Sequence, residues 1–131
     1  MKPPKGIEVF ETPTSHYWFE DDGILCIVTK KADEISLEDQ KKQVAAFKER
    51  LGGKKRCAII DISNSTASSP EFRDYNTREL PELFSAIAFV ATSPITRMMV
   101  IVYLGQQPTP FDSRVFSNEA EAKAWIRSFL E

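Results

Sequence analysis

The sequence predicts an α/β fold, a single domain with a mixed β-sheet of about five strands and helices packed against it. Three observations favour this class. Two runs rich in aromatic and β-branched residues, 16–20 and 24–29, flank Asp21-Asp22-Gly23, and Asp-Gly between such runs is a strong hairpin signal. A buried strand over 57–62 precedes a polar loop and a helix. The continuous apolar run 98–104 is typical of a central strand buried on both faces.

The segments before residue 62 follow in order from local signals. We expect a loose terminus over residues 1–6 and a short edge strand over 7–10. Ser36 offers an N-cap for a helix, and Gly52-Gly53 ends that helix because glycine tolerates the left-handed conformation of a C-cap. The strand at 57–62 then pairs in parallel with a hairpin strand if the two share a sheet.

The second half of the chain contains further helix and strand signals. A long helical segment opens at Pro70, where the missing N–H costs little. Pro81 predicts a kink or two helices in series, and Ser93-Pro94 is expected to stop the helical segment. A short strand over 114–116 and a last helix capped near Asn118 complete the fold.

The apolar part of the predicted long helix runs from Leu83 to Ala91 and contains a single polar residue. A helix that is apolar nearly all round must be covered on more than one side. Burial between the sheet and another helix is one interpretation, and self-association is the other. We therefore place a candidate homodimer interface at Phe84, Ile87 and Phe89.

The composition of the chain argues against several classes of function. The 131 residues are those of one domain, 1–131, and the net charge of −2 gives no basic excess that would favour nucleic acid as a partner. The two cysteines lie among apolar neighbours and make no disulfide framework, which indicates a reducing compartment. No apolar run approaches the roughly 20 residues that span a bilayer, and the first residues lack a signal-peptide core. We expect a cytoplasmic protein without a membrane span.

No catalytic, metal or cofactor site is expected. The one histidine, His16, lies far along the chain from Asp61, Ser63 and Ser69, so nothing in their spacing supports a Ser-His-Asp set. One histidine and two scattered cysteines do not form a metal-ligand pattern. The sequence also lacks a glycine-rich phosphate loop.

The chain resembles the SpoIIAA-like proteins, which share the STAS fold of anti-sigma-factor antagonists. Three features carry the likeness, namely the hairpin around Asp21-Asp22-Gly23, the segment Ala58-Ile-Ile-Asp61-Ile-Ser63 before its loop, and the ending from Arg114 to Trp125. The likeness extends from about Tyr17 to Leu130 and is to the uncharacterised bacterial members. It implies a small mixed sheet with packed helices and a regulatory role through protein–protein contact, without catalysis.

The resemblance also implies a position for a phosphorylation switch. In the phosphorylated members, the switch is a serine in an Asp-Ser-Ser-Gly segment at the start of the second helix. Ser68-Ser69-Pro70 stands nearest to that position here, with Ala67 in place of the Asp and Pro70 in place of the Gly. The chain therefore departs from the switch motif at both ends.

Hydroxyl side chains crowd the loop after the strand that ends near Asp61. A phosphate at a helix N-terminus gains from free N–H groups and the helix dipole. The same residue types also form turns and caps for structural reasons. Asp61 either accepts loop N–H bonds or positions a neighbouring serine. The candidate partner-binding or phospho-acceptor loop consists of Asp61, Ser63, Ser65, Thr66, Ser68 and Ser69.

An alternative function is that of a carrier or sensor of a small apolar ligand or lipid held between a helix and the sheet. Met98, Met99 and Phe111 are candidates to line such a pocket, since methionine adapts to irregular shapes. Aromatic and methionine residues at these spacings also fit an ordinary core. In the first interpretation, the partner is an unidentified protein.

Overall fold

The computed structural model describes residues 1–31, 36–64, 70–106 and 112–130. Within them, six strands form one sheet in sequential order. The first three strands pair antiparallel, and the third to the sixth pair parallel. The mixed α/β sheet predicted from the sequence is confirmed. The strands are β1 (Phe10–Glu11), β2 (Ser15–Phe19), β3 (Leu25–Thr29), β4 (Arg56–Asp61), β5 (Phe84–Val90) and β6 (Asp112–Phe116).

In the described part of the chain, four helices connect or follow the parallel strands, namely α1 (Leu37–Leu51), α2 (Pro70–Leu83), α3 (Pro94–Gln106) and α4 (Glu119–Arg127). The predicted caps are confirmed. Ser36 accepts a hydrogen bond from the Asp39 N–H, and Asn118 accepts one from the Glu121 N–H. Gly52 ends α1 with a φ of 61°, in the left-handed region that glycine tolerates.

Both faces of the sheet are buried, because alternate residues of each central strand enter two different clusters. On one face, Tyr17 and Ala58 pack with Val44 and Phe47 of α1. On the other face, their neighbours Trp18 and Ile59 pack with Ala122 and Ile126 of α4. Strands covered on both sides have no polar face, which explains their continuous apolar sequences.

The prediction that residues 83–91 are helical is wrong, because residues 84–90 form β5 between β4 and β6. Helix α2 ends at Leu83, two residues beyond Pro81. A run that is apolar on every side fits a helix covered all round and equally a strand covered on both faces, so periodicity cannot separate the two. Phe84 and Ile87 are fully buried, and Phe89 is half-buried against the same core. The three residues named for a dimer interface thus lie in the sheet.

The prediction of a central strand over 98–104 is also wrong, because these residues belong to α3. The segment joins β5 to the parallel strand β6, and a parallel pair needs a crossover, usually a helix. Ser93-Pro94 begins this helix. The hydroxyl of Ser93 accepts from the Thr96 N–H at 3.5 Å, and Pro94 is the first helical residue. The pairing of β5 with β6 requires this crossover, and that requirement outweighs the strand preference of the β-branched residues in the segment.

Candidate functional site

The carboxyl ends of β4 and β5 lie side by side, and the polar residues that follow them form the candidate site. Asp61 is the last residue of β4, and its strand partner is Val90. The Ile62 N–H donates to the Val90 carbonyl at 2.9 Å, so pairing continues one residue beyond β4. In open α/β sheets, ligands bind outside the carboxyl ends of the strands.

The Asp61 carboxylate is held by two donors. One oxygen accepts from the Ser63 backbone N–H at 2.9 Å, and the other accepts from the Met1 ammonium at 3.2 Å. Burial by itself would raise the pKa of the Asp61 carboxyl, but hydrogen bonding from Ser63 and the Met1 charge outweigh it and lower the pKa below its ordinary value. The carboxylate is therefore a weak base.

Ser63 joins the loop after β4 to the loop after β5. Its hydroxyl oxygen accepts from the Thr92 N–H at 3.3 Å and from the Thr92 hydroxyl at 3.4 Å. Arg97 of α3 reinforces the second loop by donating to the carbonyls of Ala91 at 2.9 Å and Thr92 at 3.1 Å. These contacts connect β4, β5 and the start of α3 at one end of the sheet.

Neither Thr92 nor Arg97 was identified as a site residue from the sequence. The signal that could have found them is Ser93-Pro94, because a serine N-cap followed by Pro at the first helical position marks a helix start as well as a stop. The bond between Ser63 and Thr92 depends on the pairing of β4 with β5, which local patterns do not reveal.

His16 lies on the same face of the sheet as Asp61, separated from it by Val28. The register pairs His16 with Val28 and Val28 with Asp61. Two strand spacings are about 10 Å, too far for a hydrogen bond. The His16 ring instead stacks on Trp18, with the ring centroids 6.0 Å apart. Within the described part of the chain, no three His, Cys, Asp or Glu side chains are grouped in a way that could hold a metal ion.

Only part of the predicted site can be placed. Asp61 and Ser63 lie together, whereas Ser65, Thr66, Ser68 and Ser69 lie outside the described residues. Phe111 of the alternative ligand site also lies outside them. Met98 and Met99 are exposed on α3, so they do not line a closed pocket between helix and sheet.

Helix α3 presents large apolar side chains to solvent. Four of them follow helical spacing, since residues 95, 98, 99 and 102 are separated by three or four positions, and residue 101 borders the same stripe. We call this set the α3 face. Its members and their exposed fractions are Ile95 (74%), Met98 (67%), Met99 (54%), Ile101 (57%) and Val102 (51%). The sequence does not predict this surface, because a continuous apolar run favours a buried strand.

Comparison with known proteins assigns the family. The family described as "Domain of unknown function (DUF7793)" matches residues 17–130, and the chain therefore belongs to it. No curated protein matches the sequence.

Solved structures show the fold. An uncharacterised DUF3478-family protein from Shewanella loihica PV-4, described as having a SpoIIAA-like fold, matches with a TM-score of 0.61. The two chains are 16% identical, and the match covers 96% of this chain and 98% of that one. The SpoIIAA-like fold inferred from the sequence is confirmed. A protein of unknown function from Arthrobacter sp. FB24 matches with 20% identity over 84% of this chain and 90% of that one. Its TM-score of 0.33 is too low to support a shared fold.

Among the residues that the structure describes, no helix combines the length and apolar character needed to cross a membrane.

Proposed function

We propose that this member of the DUF7793 family is a non-enzymatic regulatory module that binds a partner protein at the carboxyl end of β4 and β5. The contact surface consists of Asp61 to Asn64 together with Thr92. The observation that carries the proposal is the set of hydrogen bonds around Ser63. These bonds hold Ser63, which follows β4, against Thr92, which follows β5, at the carboxyl ends of the two strands, where open α/β sheets bind ligands.

The chemistry of this site favours binding over catalysis. A catalytic serine needs a base that can take its proton, and an effective base has a pKa near the working pH. Asp61 has a lowered pKa, and the histidine that could assist it lies beyond Val28. The Ser63 hydroxyl oxygen accepts from the Thr92 N–H and the Thr92 hydroxyl. Residues held in position by such bonds, as Ser63 and Thr92 are, reduce the ordering cost of binding a protein.

A photo-crosslinking amino acid placed at Asn64 tests this proposal in cells of the protein's own host. Asn64 is exposed and follows Ser63 directly. The matched control is the same amino acid at Lys55, which is exposed at the opposite end of β4. We expect an adduct of one discrete mass from position 64 and none from position 55. No adduct at position 64, or the same adducts from both positions, would contradict the placement of the contact.

The alternative function, a carrier of an apolar ligand, has less support from the described residues. Met98 and Met99 are more than half exposed, whereas a ligand pocket buries its apolar lining. A cytoplasmic location remains part of the proposal. It is supported by Cys26 and Cys57, which are buried and unpaired, as is usual in a reducing compartment.

A further inference from the structure

The α3 face is a concentrated apolar surface. All five of its members are more than half exposed, whereas the other exposed large apolar side chains of the described residues are scattered over Val9, Phe129 and Leu130. Single apolar residues on a surface are ordinary, but a contiguous set on one helix marks an interaction site. The opposite side of α3 is turned toward the protein, since Arg97 reaches the Ala91 carbonyl and Val100 is half-buried.

The area of the α3 face fits a small dimer. Five side chains of this size, exposed by 51% to 74%, present an apolar area on the order of 500 Å². Two such faces in contact bury on the order of 1,000 Å² in total, which reaches the lower limit of specific protein interfaces. A second copy of the chain can therefore cover the face without a large additional surface.

The low charge of α3 favours one kind of binding partner for the α3 face over the others. Between Pro94 and Gln106 the chain has one charged residue, Arg97, and its guanidinium is bonded to the carbonyls of Ala91 and Thr92. Helices that lie on anionic membranes carry several basic residues on their polar side, and α3 does not. A charged protein partner would also find no complementary side chain on this helix. An uncharged apolar face is complementary to another copy of itself.

The arrangement of side chains suits twofold symmetry. The α3 face is centred between Met98 and Met99, so a twofold axis at that point places Ile95 of one copy opposite Val102 of the other. The two helices are then antiparallel, and their dipoles oppose each other favourably. The flexible methionine side chains at the centre adapt to each other across the axis.

We infer that the α3 face is a self-association surface, at which two copies of this chain pair through antiparallel α3 helices. This inference moves the homodimer contact from Phe84, Ile87 and Phe89, which lie in the sheet, to the surface of α3. It rests on observations separate from Ser63 and its bonds, and it holds whether or not a partner binds there.

Sedimentation velocity of the full chain, over a range of concentrations up to tens of micromolar, tests the inference. The wild-type chain should form a dimer, and Met98→Glu and Met98→Lys should each raise the dimer dissociation constant by roughly tenfold or more, because two like charges meet at the axis. A 1:1 mixture of these two variants should restore the dimer. Phe129→Glu, which changes an exposed apolar residue on the C-terminal side of α4, should leave the dimer intact.

Thermal unfolding of each variant verifies that it is folded. If Met98→Glu does not fold, Ile101→Lys is the second variant that places a charge on the α3 face. A wild-type chain that stays monomeric would overturn the inference. So would a Met98→Glu dimer as stable as the wild type, or loss of the dimer in Phe129→Glu. A monomer that floats with vesicles of neutral phosphatidylcholine would assign the face to lipid and also overturn the inference.

Discussion

The Ser63 hydroxyl oxygen lies 3.3 Å from the Thr92 amide nitrogen, and this hydrogen bond joins the loops that follow two parallel strands. The two residues are 29 positions apart in the sequence. They meet because Asp61 and Val90 are partners at the ends of β4 and β5. The same serine donates its backbone N–H to Asp61, so one side chain and its backbone position both loops.

Replacing Ser63 with alanine should lower the free energy of unfolding by about 1 kcal/mol. The change removes the acceptor of the Thr92 N–H and of the Thr92 hydroxyl. Urea unfolding measures the effect. Ser117→Ala, at an exposed position before α4, is the control and should change stability by less than about 0.5 kcal/mol. Equal stability of Ser63→Ala and the control would show that the bond between the loops contributes nothing.

The Asp61 carboxylate should make stability dependent on pH in the acidic range. Its pKa is lowered in the folded chain, so its contribution is present above the unfolded pKa of about 3.9 and is lost as the pH falls through the folded pKa. Asp61→Asn should thus be less stable than the wild type near pH 7, and the difference should shrink as the pH falls below about 4.

Urea unfolding of the wild type and of Asp61→Asn, at several pH values between 2 and 7, measures the difference between their free energies of unfolding. A gap between wild type and Asp61→Asn that stays constant, or widens, as the pH falls would contradict the assignment. Glu8→Gln, at an exposed position in the N-terminal segment, is the control and should leave the pH dependence unchanged.

A buried polar network attaches α1 to the turn between β1 and β2. The Gln43 side-chain oxygen accepts from the hydroxyls of Thr12, Thr14 and Ser15, and its amide donates to Gln40 at 3.2 Å. Gln43→Ala should cost roughly 2–4 kcal/mol, since it leaves buried hydroxyls without their acceptor. Lys42→Ala, on the exposed side of the same helix, should cost less than about 0.5 kcal/mol. Similar losses in the two variants would show that the network is not energetically important.

The sequence was informative wherever one short segment determined the structure. The turn at Asp21-Asp22-Gly23 pairs β2 with β3 as expected, and the Gly23 N–H donates to the Glu20 carbonyl. The caps at Ser36 and Asn118 were also correct, because an N-cap depends on side-chain chemistry within three residues.

The errors arose where the partner of a segment decides its structure. Residues 84–90 are apolar except for Ser85, and residues 98–104 are a continuous apolar run, yet the first segment is a central strand whereas the second lies on a surface helix. The difference comes from pairing with β4 and β6, which no local period encodes. The same limit applies to the site. Asp61 and Ser63 were predictable as neighbours, whereas Thr92 depended on the strand order.

The most direct test of the proposed binding site is the affinity of the purified chain for the protein trapped by the crosslinker at position 64, measured by titration calorimetry. Asn64→Arg introduces a large charged side chain into the proposed contact, and Lys55→Glu changes the residue that precedes β4 at its opposite end. The account predicts that Asn64→Arg weakens binding by roughly tenfold or more and that Lys55→Glu does not. Unchanged affinity of Asn64→Arg, in a variant that remains folded, would contradict the claim that the partner binds at this end of the sheet.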